Sequence, residues 1–493
     1  MSLKWSKPFY ELIPKVGLST MPGCAYDTAW YARLIQVDEP LAYKALDWLR
    51  AYQLPDGTWG APEFYYAHDR IISTLSAMTA LGQFGNDCDK PRIERAKKGL
   101  GDAFLHISQN SAYEMAGFEV LAPSLMAEAE ALGLLDSHSA KFLPYLAKEQ
   151  KRRLKSFNGF RINNKSILAY SAEMAGDNLK LLDLDTLQMD DGSVFFSPAA
   201  TSYYYLNGGK KPSALAYLET IPTEQEGAMP NVYPFAVFEQ AWTLWNLALV
   251  GELDATGTAI CAPLLDALQE TWDPVRGTSF TYGAVQDGDD SSLTFEVLKS
   301  YGRSVNIEGL LSHFVGSHMR CYQMEANPSI STNIHALSAF RKAGFAPTHP
   351  IIQKVLYFLK SAQNENKVWL DKWHISPYYT TCHAIIAASN YTDWLVETAI
   401  SWLTATQHKD GSWGTYLSTA EETAFGVQAL AIRQRDCGEN HLDAIQRGAA
   451  WLIENHNGKH PPLWVGKVLY SPTYVNDSAV YSALCLAEQV GAI

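Results

Sequence analysis

Apolar residues recur at helical spacing along most of the chain. In Leu41–Tyr52, Pro123–Leu134, Phe235–Val250, Ile351–Ser361 and Ala444–Ile453 they fall at separations drawn from i, i+3, i+4 and i+7. That period lays one apolar stripe along an α-helix. Alternation suited to a strand is scarce. Ser193–Ser197 (SVFFS) is the best strand candidate, and it is too short to build a sheet. Gly, Pro and Asn clusters interrupt the helical stretches at short intervals, as antiparallel helical hairpins require. The pattern predicts an all-α protein.

The chain also repeats itself. Ala45–Gly60 (ALDWLRAYQLPDGTWG) overlays Ala399–Gly414 (AISWLTATQHKDGSWG), so Gln53, Asp56, Gly57 and Trp59 match Gln407, Asp410, Gly411 and Trp413. A degenerate third copy, AQNENKVW, keeps Gln363 and Trp369 but loses the Asp-Gly pair. Asp-Gly makes a tight turn. The indole can fold back on the preceding helix end, where the Gln amide can bond backbone groups left open. Two near-identical elements, one toward each end, predict α/α-barrel domains. Gly, Lys, Pro and Glu concentrate in Asn207–Glu226 and mark the expected linker.

Composition narrows the function. Asp and Glu total 52 against 39 Lys and Arg, a net charge of −13, which argues against nucleic acid or an anionic membrane surface as partner. No run of about 18 apolar residues is present to span a membrane. The lysines and glutamate in MSLKWSKPFYELIPK are unlike a signal peptide. Seven scattered cysteines without a CxxC pair suit a reducing cytoplasm and offer no disulfide framework or sulfur-rich zinc site. A cytoplasmic protein is expected. The aromatic content is high, with 14 Trp, 26 Tyr and 19 Phe, more rings than the turns alone require.

The candidate chemistry lies at Gln286–Ser291 (QDGDDS), just before an apolar stretch carrying Leu293, Phe295, Val297 and Leu298. One reading is a helix N-cap, with acids at the positive end of the dipole. A calcium loop does not fit, because the D-x-D-x-D-G alternation and the glutamate at position 12 are missing. Nor is this Asp-Asp-x-x-Asp, since Ser-Ser-Leu follows Asp289-Asp290. The other reading is a general acid. Three carboxylates within four residues cannot all ionise cheaply, so one retains a proton. A protonated carboxyl group can protonate an unactivated alkene, for which imidazolium is too weak an acid. Aromatic faces would then stabilise the resulting carbocation by ~1–2 kcal/mol each when desolvated, without trapping it.

Taken together these segments resemble the class II diterpene cyclases, relatives of squalene–hopene cyclase. Ala25-Tyr26-Asp27-Thr28-Ala29-Trp30 is similar to the family's YDTAW, and the two Gln-x-x-Asp-Gly-x-Trp elements to its tryptophan-rich repeats. Gly117–Val120, Ala122–Leu125, Ser197-Pro198 and Pro230–Pro234 follow in the family's order. Asp287-Gly288-Asp289-Asp290 matches its DxDD motif. The resemblance implies two α/α barrels, γ (21–215) and β (216–493, carrying the DxDD motif), with 1–20 packed on the β barrel and the active site between the two. It implies an isomerase-type enzyme in which Asp289 protonates geranylgeranyl diphosphate while Asp287 and Asp290 orient and tune it. Two rings close and the diphosphate is retained. A class I terpene synthase or a phosphatase would then consume the product. Magnesium would accompany the diphosphate. The family's acidic magnesium motif is degenerate here, with Glu114 the only carboxylate in ISQNSAYEMA.

In relatives that make ent-copalyl diphosphate, a His–Asn pair holds the water that takes the final proton. Asn231 matches the Asn, whereas Tyr170 stands where the His would be. That departure, with Ser329–Leu337, Asp371–Thr381 and Pro462–Tyr470, resembles halimane- and clerodane-forming cyclases and implies a tuberculosinyl- or kolavenyl-type product. A labdane-type copalyl product is the alternative. Lys165, Arg161 and Lys467 are candidate diphosphate contacts, each equally readable as a solvated charge. Trp242, Trp245, Tyr282, Trp373, Tyr378, Tyr379 and Tyr474 are candidate cavity walls, with core packing as the competing reading. His374 and His383 read as structural, and Trp59 and Trp413 as barrel-stabilising. Three other readings stay open. An α/α-barrel glycosidase needs two carboxylates facing across a cleft, a protein prenyltransferase subunit needs zinc, and the third is a non-catalytic binding barrel.

Overall fold

A computed structural model of the chain describes residues 3–37, 39–107, 117–156, 159–222, 226–325 and 327–493. Among the described residues the one sheet is a two-stranded antiparallel pair, Trp464–Val465 with Leu469–Tyr470. The rest is helix and turn, as the 3.6-residue period predicts. Contacts divide the chain into two units. One comprises Met1–Thr20, Phe235–Pro461 and Pro472–Ile493, and the other Met21–Pro234 and Pro462–Ser471.

In the first unit, the described helices Ala236–Val250, Gly288–Ser300, Ile330–Lys342, Pro377–Ala388, Ala420–Cys437 and Thr473–Gln489 each pack on the next, and the last closes on the first. Burial separates this inner ring from the helices that connect it. Every residue from Tyr378 to Ala388 is buried. In the connecting helix Pro350–Ser361 only the stripe Ile352, Val355, Leu356 and Leu359 is buried. A helix apolar all round belongs inside, and a helix with one stripe belongs outside. The N-terminal segment joins this unit through the buried Glu239 carboxylate, which accepts the Gly17 and Ser19 amides at 2.6 and 3.0 Å.

The second unit repeats the scheme. Ala25–Ala32, Ala67–Phe84, Phe118–Ala131, the 3₁₀ segment Ile167–Ala175 and Pro198–Asn207 form its closed inner ring. Pro40–Ala51, Lys90–His106, Leu143–Ser156 and Pro212–Thr220 pack on that ring. Both units are therefore helical barrels. The sequence-based cut at 215/216 falls inside the helix Pro212–Thr220, whose Ala214, Tyr217 and Leu218 are buried, and contacts divide the chain after Pro234 instead. The Gly-Lys-Pro cluster makes the turn between two packed helices, with Gly209 at φ +105°.

The repeated turns share one geometry. Trp59, Trp369 and Trp413 each donate their indole N–H to the carbonyl ten residues earlier (Leu49, Leu359, Leu403) at 2.8 Å. The Gln53 amide bonds Gly57 O and Arg92 O at 2.9 Å, and the Gln407 amide bonds Gly411 O and Ala444 O at 2.8 Å. Gln363 makes the same pair of bonds, longer, to Lys367 O at 3.2 Å and Leu395 O at 3.1 Å. Each amide thus ties its own turn to a neighbouring element. A further copy lacks the Trp. Gln188 bonds Gly192 O at 2.7 Å and Ser213 Oγ at 2.8 Å, with Asp191-Gly192 at the turn. This corrects the strand candidate Ser193–Ser197. It is the exit of that turn, with Phe195 and Phe196 at φ +48° and +61° and Ser197 capping the next helix.

Candidate active site

Asp287, Gly288, Asp289 and Asp290 divide their work at the start of the Gly288–Ser300 helix. Asp287 is the extended N-cap, and its Oδ1 accepts the Asp289 and Asp290 amides at 2.9 and 2.8 Å. Gly288 donates its N–H to Cys321 O at 3.0 Å, and a Cβ there would collide with the Arg320 carbonyl. Only glycine lets the Arg320–Cys321 backbone approach so closely. All three aspartates are buried. Burial pushes Asp287 up to about 7, against the opposing pull of the hydrogen bonds it accepts. Burial, and then the neighbouring Asp287 charge, raise Asp290 well above the usual carboxylate range. Asp287 Oδ2 and Asp290 Oδ1 have no hydrogen-bond partner among the described residues.

Asp289 reaches a different set of groups. Its Oδ1 lies 2.6 Å from His335 Nδ1, and His335 Nε2 lies 2.9 Å from His383 Nδ1. Its Oδ2 is 3.4 Å from Ser331 Oγ, which also donates to Asp371 Oδ2 at 2.9 Å. Ser331 and His335 share one face of Ile330–Lys342, four residues apart. Asp371 Oδ1 accepts the Ile330 and Ser331 amides at 2.7 and 3.2 Å and so fixes the start of that helix. The result is a buried acid held between a hydroxyl group and an imidazole.

Aromatic rings surround the histidines. Trp242 stands edge-on to His335 at 5.7 Å and donates its indole N–H to Tyr379 OH at 3.2 Å. Tyr379 lies 4.4 Å from His383 and stacks on His374 at 4.6 Å, and Trp245 lies 4.6 Å from His383. The other sequence candidates make different contacts, although the Trp373 amide bonds Asp371 Oδ2 at 3.1 Å. Tyr378 packs on Trp402 at 4.9 Å, Trp373 meets Tyr322 edge-on at 6.1 Å, Tyr282 is 51% exposed, and Tyr474 is half-buried. His374 Nε2 is 3.3 Å from Glu421 Oε1 in the core.

Asn231, Tyr170 and Lys467 meet in a separate cluster within the other barrel. Tyr170 OH donates to Asn231 Oδ1, and Asn231 Nδ2 donates to Asp27 Oδ2 at 3.3 Å. Asp27 also accepts the Ala199 amide at 2.9 Å, and burial pushes it up to about 7 while Lys467 pulls it back. Lys467 Nζ bonds Glu173 Oε1 and Ser197 Oγ, each at 2.6 Å, and lies over the Tyr170 ring at 4.6 Å. Burial raises the Tyr170 phenol well above its usual range. Lys165 is exposed, and Arg161 is exposed with its guanidinium on Leu182 O at 2.8 Å and Asp183 at 3.7 Å. Glu114 lies outside the described residues. Among the described residues no group of three His, Cys, Asp or Glu side chains is placed to hold a metal ion.

Sequence reasoning missed His335. The available signal was its i, i+4 spacing from Ser331 within the segment Ser329–Leu337. Nothing local ties it to Asp289, 46 residues earlier. His383, read as structural, proves to be the next link in the same chain of hydrogen bonds.

Comparison with known proteins places these features in context. Residues 322–472 match the squalene–hopene cyclase C-terminal domain family. The chain is 39% identical to the type B diterpene cyclase of Mycobacterium tuberculosis, over 98% of this chain and 99% of the relative. It is 29% identical to the ent-copalyl diphosphate synthase of a Streptomyces species, over 90% of this chain and 88% of the relative. Among solved structures, the ent-copalyl diphosphate synthase of Streptomyces platensis matches with a TM-score of 0.79 at 26% identity, covering 98% of this chain and 99% of that one.

Proposed function

Because this chain belongs to the class II diterpene cyclase family, we propose that it protonates and bicyclises geranylgeranyl diphosphate, keeps the diphosphate, and releases a halimane- or clerodane-type product of the tuberculosinyl or kolavenyl kind. The observation that carries this reading is the buried Asp289–His335 pair, 2.6 Å apart, in a barrel core walled by Trp242, Trp245 and Tyr379. Family membership removes the glycosidase, prenyltransferase and non-catalytic alternatives.

Asp289 gives its proton to the terminal double bond. The carboxylate left behind is stabilised by the His335 N–H, a charge-assisted bond worth more than the same contact to a neutral acid. That difference favours the transition state over the ground state. Asp287 fixes the start of the helix that carries the acid. Asp290, its carboxyl held up by burial, adds little negative charge against the departure of the proton. Tryptophan and tyrosine faces stabilise the cation by ~1–2 kcal/mol each where desolvated, and they offer no strong nucleophile.

The product class rests on the Tyr170–Asn231 contact. Tyrosine in place of the histidine of a His–Asn pair favours a cation that migrates by hydride and methyl shifts before it loses a proton. The preserved Asn231 favours the second reading, a labdane-type copalyl product. Magnesium enters as the counter-ion carried by the substrate's diphosphate, and a class I terpene synthase or phosphatase would use the product. No described helix is long and apolar enough to cross a membrane.

The test is mass spectrometry of the dephosphorylated product from C15, C20 and C25 prenyl diphosphates. A bicyclic C20 alcohol with a rearranged skeleton is expected. A labdane skeleton would select the second reading, and no turnover of any substrate would defeat both. Asp289→Asn should abolish cyclisation while the circular dichroism spectrum is retained. Tyr170→His should alter the product distribution.

A further inference from the structure

His383 belongs to no motif and sits one imidazole removed from the acid. It is buried, on the inner helix Pro377–Ala388, whose residues from Tyr378 to Ala388 are all buried. Its Nδ1 lies 2.9 Å from His335 Nε2. Its Nε2 has no hydrogen-bond partner among the described residues. The rings of Tyr379, Trp245 and Phe425 pack around it at 4.4, 4.6 and 5.5 Å.

A neutral imidazole carries one N–H and one lone pair, and the choice between them follows from the partners. Burial, and then the proximity of His335 and His374, hold His383 well below the usual histidine range, so its ring is neutral. A hydrogen on Nε2 would leave a buried donor without an acceptor, a rarer and costlier defect than an unpaired acceptor. The hydrogen therefore sits on Nδ1 and points at His335 Nε2. A neutral His335 receiving that bond must carry its own hydrogen on Nδ1, directed at Asp289 Oδ1. With Oδ1 already accepting, the acid's proton is placed on Oδ2. The hydrogen-bond neighbour of Oδ2 is Ser331 Oγ, at 3.4 Å, and that hydroxyl is bonded more closely to Asp371.

We infer that His383 is a positioning residue that fixes the tautomer of His335 and thereby selects Oδ2 as the oxygen from which Asp289 gives its proton. The inference rests on the proposed role of Asp289 as the acid. Without the His383 donor, His335 can adopt the Nε2–H tautomer, and its bare Nδ1 then takes the acid's proton as a hydrogen bond on Oδ1.

The experiment uses the full-length protein labelled with [15N]histidine. Long-range proton–nitrogen spectra report which nitrogen of each ring is protonated, with the His335 signals assigned by their loss in His335→Gln. The wild type should show His335 protonated at Nδ1. His383→Phe should shift His335 toward Nε2–H and lower kcat by ~10–100-fold, the cost of ~1.4–2.7 kcal/mol in the barrier, with KM within about twofold. His383→Asn has a side-chain N–H₂ able to take the place of Nδ1, and it should restore the Nδ1–H signal and most of kcat. An Nε2–H signal for His335 in the wild type overturns the inference without any variant. So does His383→Phe with full kcat and an unchanged tautomer. An Nδ1–H wild type that turns over no prenyl diphosphate overturns the proposed function instead.

Discussion

Lys467 offers a direct test of how the second barrel is held together. It lies at the turn between Trp464–Val465 and Leu469–Tyr470, and its side chain is fully buried against a Glu173 side chain that is 1% exposed. Glu173 Oε1 receives the ammonium at 2.6 Å and the Tyr26 hydroxyl at 2.8 Å, and Ser197 Oγ completes the ammonium's shell. Lys467→Met keeps most of the apolar stem and removes the ammonium together with the hydrogen bonds it donates to Glu173 and Ser197. Stranding one member of a buried pair costs ~3–5 kcal/mol. Spread over a unit of a few hundred residues, that corresponds to roughly 6–20 °C in the midpoint of its thermal transition. Calorimetry should record that loss. The double variant Lys467→Met/Glu173→Gln should recover at least half of it, because no uncompensated charge then remains. A thermal midpoint unchanged in Lys467→Met, together with a KM raised tenfold or more, would refute the reasoning and return the ammonium to the role of a diphosphate contact.

The turn amides give a graded test. Gln407→Ala removes two 2.8 Å bonds and Gln363→Ala removes two of 3.1–3.2 Å, so the first should cost ~1–3 kcal/mol and the second less, measured by urea unfolding. Equal costs would mean that packing of Trp413 and Trp369 alone holds these turns. Asp27 gives a pH test. Its folded value of about 7 stands above the ordinary 3.8, so its contribution is complete below pH 3.8 and is lost as pH rises through 7. A shift of about three units corresponds to roughly 4 kcal/mol. The stability of the wild type relative to Asp27→Asn should therefore fall by ~2–4 kcal/mol between pH 4.5 and 8. A difference independent of pH would show that Asp27 keeps its ordinary acidity.

Periodicity made the helices legible because burial of a stripe is written in the local sequence. The Gln–Trp turn was legible because the bonds of its indole and of its Gln amide span ten residues or fewer, apart from the one carbonyl on the neighbouring element. Ring closure is of another kind. A stripe says which face is buried and not what it meets, so the pairing of Ala236–Val250 with Thr473–Gln489 leaves no local mark. Lys467 illustrates the cost. Its type suggests solvent, but Glu173, 294 residues away, neutralises it in the core. Ser193–Ser197 failed in the opposite direction. Its apolar run is local, but Gln188 and Asp191-Gly192 just before it make the turn that decides its backbone.

On the proposed function, a helix cap and a proton donor are complementary readings of the acid cluster. A single carboxylate at this helix start would be drawn into capping, since the open N–H groups of the first turn need an acceptor. Asp287 supplies that acceptor for two amides at once. The Asp289 side chain is thereby released from the backbone and turned to His335 and Ser331. It stays in the first turn, where the helix dipole would favour the anion left by the proposed proton transfer. Asp290, raised by burial and by Asp287, keeps a second full charge from accumulating beside it. The capping carboxylate is thus the condition under which its neighbour can serve as an acid. Replacing Asp287 should cost activity through the orientation of Asp289 even where the helix itself survives.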